Sequence, residues 1–312
     1  MSIYFTPLDR EALLHVEGPD ARTFLQGQTT CDVRTIDPEH ALPGACCTPQ
    51  GRIIFDFLMC QASEHHFVLR LRRDILKTSA ATLAKYIVFS KAVIDSEQPN
   101  WRPFAVWGDG AHEVLKRIFT TVPDAQYDCV SGPGFVLAQL DALSQQFECY
   151  VDTATQPGIA AELASALSPA SEDSWQALQI ESGIARIETA TTEHFIPQML
   201  NYDFTGHLSF SKGCYTGQEV VARMHYRGTP KRRMYLATLQ DEPATAGALL
   251  YSNGSEQSVG TVVNSTTTID NKCIALVVAT TESVTRELHL DSIDGPLICL
   301  GTLPYSLGND TA

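Results

Sequence analysis

The sequence predicts an α+β fold that ends in a small β-barrel, and three observations carry that expectation. A strand pattern, its hairpin partner and a helix pattern follow one another between residues 53 and 89. A polar break at Ser96–Arg102, containing Pro99, opens a second run of mixed strand and helix patterns. After the basic turn Arg227–Arg233, short strand patterns separated by Gly, Asn and Asp continue with no helix pattern between them. The chain has 312 residues, room for about two domains at roughly 150 residues each.

Taken in order, Gly18-Pro19 before Ala21–Gln26 and Gly27 predicts a short helix with proline at its start and glycine past its end. Gln50-Gly51-Arg52 reads as a turn into the strand Ile53–Cys60. Ile53, Phe55, Phe57 and Met59 alternate there with Ile54, Asp56, Leu58 and Cys60, so both faces are mainly apolar. That pattern predicts a central strand with the Asp56 carboxylate on a largely buried face. His66–Leu71 is its expected hairpin partner, and Asp74–Phe89 the helix that follows.

Beyond the polar break come a strand at Phe104–Trp107, a helix at Ala111–Phe119 and further strands. The section from roughly 100 to 168 is expected to form a subdomain of its own. Ser171–Ser182 is predicted helical, with Trp175, Leu178 and Ser182 on the apolar stripe and Glu181 at its edge. The carboxy-terminal strands are expected at Met234–Leu239, Val259–Asn264, Ile274–Ala279, Arg286–Leu290 and Leu297–Leu300. The expected domains are therefore 1–230, made of two α+β subdomains, and a barrel over 231–312.

Bulk properties exclude several function classes. With 22 Lys and Arg against 36 Asp and Glu, the formal charge of −14 argues against a general nucleic-acid binder or a protein of acidic membranes. Met1–Glu11 lacks the continuous apolar stretch of a secretory signal, and no apolar run approaches the ~18 residues of a membrane span. Nine cysteines without a Cys-x-x-Cys pair fit free thiols in a reducing compartment, so a cytoplasmic location is expected. His65 and His66 are adjacent rather than at ligand spacing, and no metal site is expected. Gly108-Asp109-Gly110 lacks the third glycine of a dinucleotide loop and reads as a plain turn.

The stretch that stands out is Lys212-Gly213-Cys214-Tyr215-Thr216-Gly217-Gln218-Glu219. Thr216 and Glu219 have the spacing of a capping box, ahead of Val220, Val221 and Met224 at helical spacing and a closing Gly228. Cys214 would then stand two residues before the N-cap. There unpaired backbone N–H groups, with Lys212 nearby, favour a thiolate. Downstream, Arg223, Arg227, Lys231, Arg232 and Arg233 form with His225 an eleven-residue window without an acid. Such a window is commonly a solvated turn; here it is also a candidate docking site for an acidic tail, an acidic partner or tRNA.

These residues resemble the YgfZ family of folate-binding proteins of bacterial iron–sulfur metabolism, a family similar in fold to the T-protein (aminomethyltransferase) of glycine cleavage. The likeness rests on Lys212–Glu219 continued by Val220-Val221-Ala222-Arg223, on Phe24–Asp32, on Gln50-Gly51-Arg52, on Glu181–Ile184 and on Pro197-Gln198. It implies a T-protein-like arrangement of three domains around a central channel holding tetrahydrofolate or a one-carbon derivative. It also implies a role in assembling or maintaining iron–sulfur enzymes, including those that methylthiolate tRNA. Cys214 and Lys212 carry over as the functional pair. Glu181 takes the place of the glutamate that grips the pterin, with Asp56, Arg223 and Tyr215 as further candidate folate contacts.

One departure concerns turnover. T-proteins carry two adjacent acidic residues after a Gly-Gly turn, whereas this strand reads Gly51-Arg52-Ile53-Ile54-Phe55-Asp56, with Phe55 in place of one carboxylate. The leading expectation is accordingly a folate-binding accessory protein whose partners are iron–sulfur client or assembly proteins and tRNA-modifying enzymes. Its rivals are a T-protein-type one-carbon transferase and a folate-independent iron–sulfur scaffold.

Overall fold

The computed structural model describes residues 2–240, 242–253 and 257–307. The chain divides into two compact units. The first comprises residues 1–46, 56–172 and 211–215, and the second residues 47–55, 173–210 and 216–312. Among the described residues no helix is long and apolar enough to cross a membrane.

The first unit holds one sheet and most of a second, whose residues 47 and 53–55 are counted with the other unit. One has six strands in the order Ser168–Pro169, Tyr4–Pro7, Trp101–Trp107, Gln146–Asp152, Phe135–Gln139 and Cys129–Gly132. The helices Ala111–Ile118 and Ile159–Ala166 cover it, burying Leu115 and Leu163 against Phe5, Phe104, Val106 and Phe147. The other has five strands, in the order Leu42–Cys47, Ile53–Ser63, His66–Arg72, Glu11–Glu17 and Val93–Asp95. Leu13, Leu58, Cys60 and Val68 of the five-stranded sheet pack with Cys129, Val136, Ala138 and Tyr150 of the other.

Charge is buried in the same layer. Arg70 meets Glu148 at 2.8 Å and Glu11 at 3.7 Å, Arg72 meets Glu11 at 3.3 Å, and the Tyr150 hydroxyl donates to Glu148 at 2.6 Å. Desolvation works against charge on Glu148 and on Arg70, and each is the other's principal electrostatic support.

The second unit contains the barrel. Its six strands close in the order Arg232–Leu239, Cys273–Thr280, Gly260–Thr267, Leu249–Ser252, Leu288–Leu290 and Leu297–Leu300. Inward residues are almost wholly aliphatic, among them Ala237, Leu250, Val262, Ala275, Val277 and Ile298. The register slips between Val262 and Asn264, a bulge that re-aims one side chain. Asn264 accordingly accepts from the Arg186 N–H at 2.7 Å and donates to the Arg186 carbonyl at 2.9 Å.

The α+β class and the terminal barrel are as expected, and Asp56 lies 1% exposed in an interior strand. Several boundaries need correction. The expected helix Asp74–Phe89 is a 3-10 turn at Arg73–Ile75 and a helix only over Leu76–Ala84. Tyr86, Val88 and Phe89, at the far end of that range, are exposed. The barrel has a sixth strand at Leu249–Ser252, too short to show alternation, and the expected strand Arg286–Leu290 begins at Leu288. The helix before Glu181 runs Glu172–Glu181 and buries Trp175, Ala177, Gln179 and Ile180, so its inward stripe is not the Trp175–Leu178–Ser182 line.

Candidate functional site: the Lys212–Glu219 signature

The signature crosses from one unit to the other between Tyr215 and Thr216. Its first half is anchored by charge. The Lys212 ammonium donates to the carbonyls of Gln26 (2.9 Å), Thr29 and Cys31 (2.7 Å), which uses all three of its protons. The Tyr215 ring flanks it at 4.9 Å. Burial pulls the amine down to about 8, and the neighbouring Cys31 and Asp32 work the other way. The carbonyls come from the end of the helix Ala21–Gln28 and the turn after it, where a helix leaves such groups unpaired. Thus two separate sequence motifs, Phe24–Asp32 and Lys212–Tyr215, form one structure. Lys212 is 5% exposed and Tyr215 8%, whereas Cys214 between them is exposed.

The second half is anchored by the lack of side chains. The helix is Gln218–Arg227 and its N-cap is Gly217, at φ 87°, with no side-chain cap. The expected capping box from Thr216 to Glu219 is therefore corrected: the chain turns through a left-handed glycine, one residue later than a threonine cap requires. A Cβ on Gly217 would lie 2.5 Å from the Thr48 carbonyl and 3.2 Å from the Cα of Gly51. Gly51 is itself at φ 72°, and a Cβ there would meet Val220 at 2.9 Å. The Gln50-Gly51-Arg52 turn and the start of the helix are in glycine-to-glycine contact.

Other motifs in the second unit join this point. Gln198 donates to the Val221 carbonyl at 2.8 Å. Arg52 bonds the His194 carbonyl, while Ile53 exchanges backbone bonds with Glu193 and Phe195. Glu181 ends its helix exposed, and the Gly183 that follows carries φ 68° with the Tyr305 hydroxyl donating to its carbonyl at 2.8 Å. Arg223, Arg227 and Lys231 are exposed. Arg233 leaves the expected basic cluster, being buried and bonded to Asp203 at 2.8 Å and to the Gln198 carbonyl at 2.8 Å.

Within the first unit, Lys212, Cys214 and Tyr215 stand together and Asp56 is buried in its strand. Within the second, Glu181 and Arg223 are both solvent-facing. Seven of the nine cysteines are buried; Cys214 and Cys299 are not. Burial holds the thiol of Cys31 up at about 11 and pushes that of Cys149 higher still. Thiol chemistry in solvent is therefore open to Cys214 and Cys299.

One constellation was missed by reading local spacing. His15, Glu17 and His66 bring three ligand atoms within 4.8 Å of one another. The signal was available as a strand pair: His15 and Glu17 are two apart on one face, and Glu17 is the cross-strand partner of His66.

Residues 9–138 match the model of the GCVT N-terminal domain. The chain is 31% identical to the tRNA-modifying protein YgfZ of Enterobacter sp. (strain 638), covering 96% of this chain and 92% of that one. It is 30% identical to the protein of the same name from Photorhabdus laumondii subsp. laumondii, covering 97% and 92%. Among solved structures it resembles the glycine cleavage system aminomethyltransferase T from Bartonella henselae. That match has a TM-score of 0.78 at 15% identity, with 98% of this chain and 86% of that one covered, and the fold is therefore shared. On these likenesses, spanning nearly the whole length of both partners, the chain belongs to the YgfZ family.

Proposed function

We propose that this protein is a tetrahydrofolate-binding accessory factor acting in tRNA modification, through the upkeep of iron–sulfur enzymes that modify tRNA. The observation that carries the reading is the state of Cys214, exposed on a segment that Lys212 and Tyr215 hold fast, in a chain related end to end to proteins named tRNA-modifying. A fixed, accessible thiol suits a transient thiol partner or ligand for a client's cluster. On this reading Lys212 positions Cys214 rather than reacting.

Glu181 and Arg223, both solvent-facing on the second unit, are the folate contacts on this reading. Glu181 can accept two N–H groups from the aminopterin edge bidentately, and Arg223 can pair with the glutamate tail. Asp56, buried and engaged within its strand's surroundings, would support the reduced ring, and Tyr215 would border the thiol. Folate would supply either a bound one-carbon unit or a reduced pterin. The proposal extends to a cytoplasmic location, to partners among iron–sulfur client and assembly proteins, and to a barrel domain over 231–312, of which 241, 254–256 and 308–312 lie outside the described residues.

The T-protein-type transferase is the second reading, favoured by the shared fold and disfavoured by Phe55 where a second carboxylate stands in that family. Titration of tetrahydrofolate and its methylene and formyl derivatives distinguishes the readings. Wild type binds, and Glu181→Ala binds at least about tenfold more weakly, the loss expected for a bidentate charged pair. Equal affinity would remove Glu181 from the site, and methylene-tetrahydrofolate formed with turnover would favour the transferase. In a bacterium lacking its own family member, this chain should restore methylthiolated tRNA nucleosides and Cys214→Ser should not.

A further inference from the structure

The geometry points to a divalent-metal site of the zinc class on the first unit, formed by His15 Nδ1, His66 Nε2 and a carboxylate oxygen of Glu17. It lies on the five-stranded sheet, on residues outside the Lys212–Glu219 signature.

Proton bookkeeping leads to it. His66 Nε2 stands 2.7 Å from His15 Nδ1 and 3.3 Å from Glu17 Oε1. A neutral imidazole carries one N–H. If that hydrogen is on His66 Nε2, it serves one neighbour and leaves the other lone pair facing nitrogen. If His15 Nδ1 carries the hydrogen, His66 Nε2 and the carboxylate oppose each other lone pair to lone pair. His15 Nε2 is buried with no partner among the described residues in each of these states, and a metal on Nδ1 would leave its hydrogen there. A single cation would meet all three converging atoms at once.

The dimensions suit one. Ligand bonds of about 2.1 Å in a tetrahedral site set ligand atoms roughly 3.4 Å apart, near the His66–Glu17 separation and less than about 1 Å wider than the His15–His66 one. The frame is stiff: His15, Glu17 and His66 stand on directly paired antiparallel strands. Trp101 packs edge-on against both rings, at 5.2 Å and 6.0 Å. Asp95, the cross-strand partner of His15, and Asp152, the partner of Trp101, add negative charge around the site. His15 is wholly buried, but the Glu17 side chain is 51% exposed and that of His66 18% exposed. The metal would have a route in and a fourth position open to water.

The test uses the full chain, stripped with chelator, and zinc as the probe in equilibrium dialysis, with cobalt absorption reporting the ligands. One equivalent per chain is expected, with a cobalt spectrum free of thiolate charge transfer. His66→Ala and Glu17→Gln should each weaken binding at least about tenfold, since two remaining ligands hold zinc poorly. A Cys214→Ser, Cys299→Ser double variant should bind as wild type does. Glu17 is half exposed, so Glu17→Gln remains informative if His66→Ala unfolds. Binding far below one equivalent, binding unchanged in Glu17→Gln, or binding lost in the double cysteine variant would each overturn the proposal.

Discussion

The two halves of the Lys212–Glu219 signature are held by opposite means. The Lys212 end inserts a full charge into a ring of three carbonyls; the Gly217 end approaches a neighbouring turn because neither backbone carries a side chain there. The first contact is electrostatic and tolerates a change of shape while a donor remains. The second is steric and tolerates nothing larger than hydrogen. Cys214 lies between the two anchors in sequence and takes part in neither; within the first unit it is exposed beside the buried Lys212 and Tyr215.

The contrast predicts its largest effect at the steric end. Gly217→Val places a Cβ 2.5 Å from the Thr48 carbonyl at a left-handed φ, which a β-branched residue resists. Backbone strain and overpacking together should destabilise the second unit by about 4 kcal/mol, read from urea unfolding. Gly217→Ala should keep most of that loss. A near-neutral Ala variant would show that the glycine contact is loose.

At the charged end, Lys212→Met takes the donor from two buried carbonyls, of Thr29 and Cys31, and from the half-buried one of Gln26. About 3 kcal/mol of destabilisation is expected, with the first unit affected. Lys212→Arg should recover part of it, because a guanidinium still donates, though its planar fork fits a three-carbonyl ring poorly. If Met is tolerated while methylthiolation in cells fails, Lys212 acts chemically and the anchoring account is wrong.

Much of this arrangement was legible in the sequence, and the limits have physical causes. Ile53–Cys60 and Cys273–Thr280 declare themselves because almost every residue is apolar and buried. The strand Glu11–Glu17 does not, because its inward face carries Glu11 and His15, satisfied or packed only by residues far along the chain. The signature itself was visible, but its cap was misread. Whether Thr216 or Gly217 starts the helix depends on the contact with Gly51, which lies 166 positions upstream. Periodicity reports faces; it does not report which distant backbone must come close.

A smaller effect contrasts charge that is supported with charge that is excluded. Lys212 keeps acceptors around its ammonium, whereas burial, aided by His66, lowers His15 to about 3 against the carboxylates of Asp95 and Asp152. Burial also lowers His66, with Glu17 opposing. Between pH 6.5 and 3 the unfolded chain binds a proton at His15 that the folded chain refuses, so stability falls as pH falls through that window. From pH 6.5 to 5 the His15 share is about 2 kcal/mol. Metal-free protein should show this slope in denaturant melts, and His15→Leu should flatten it. An unchanged slope would mean that His15 titrates alike in the folded and the unfolded chain, so that burial does not lower it.

The smallest effect is expected at Cys214, the residue on which the proposed function relies. Cys214 is exposed and outside both anchors, so Cys214→Ser should leave unfolding in each unit within about 0.5 kcal/mol of wild type, the usual range for a surface change. The same variant should fail to support tRNA methylthiolation. Stability unaltered with activity lost isolates the sulfur as the acting group. A large loss of stability would instead make Cys214 part of the anchoring, and the separation of roles along these eight residues would no longer hold.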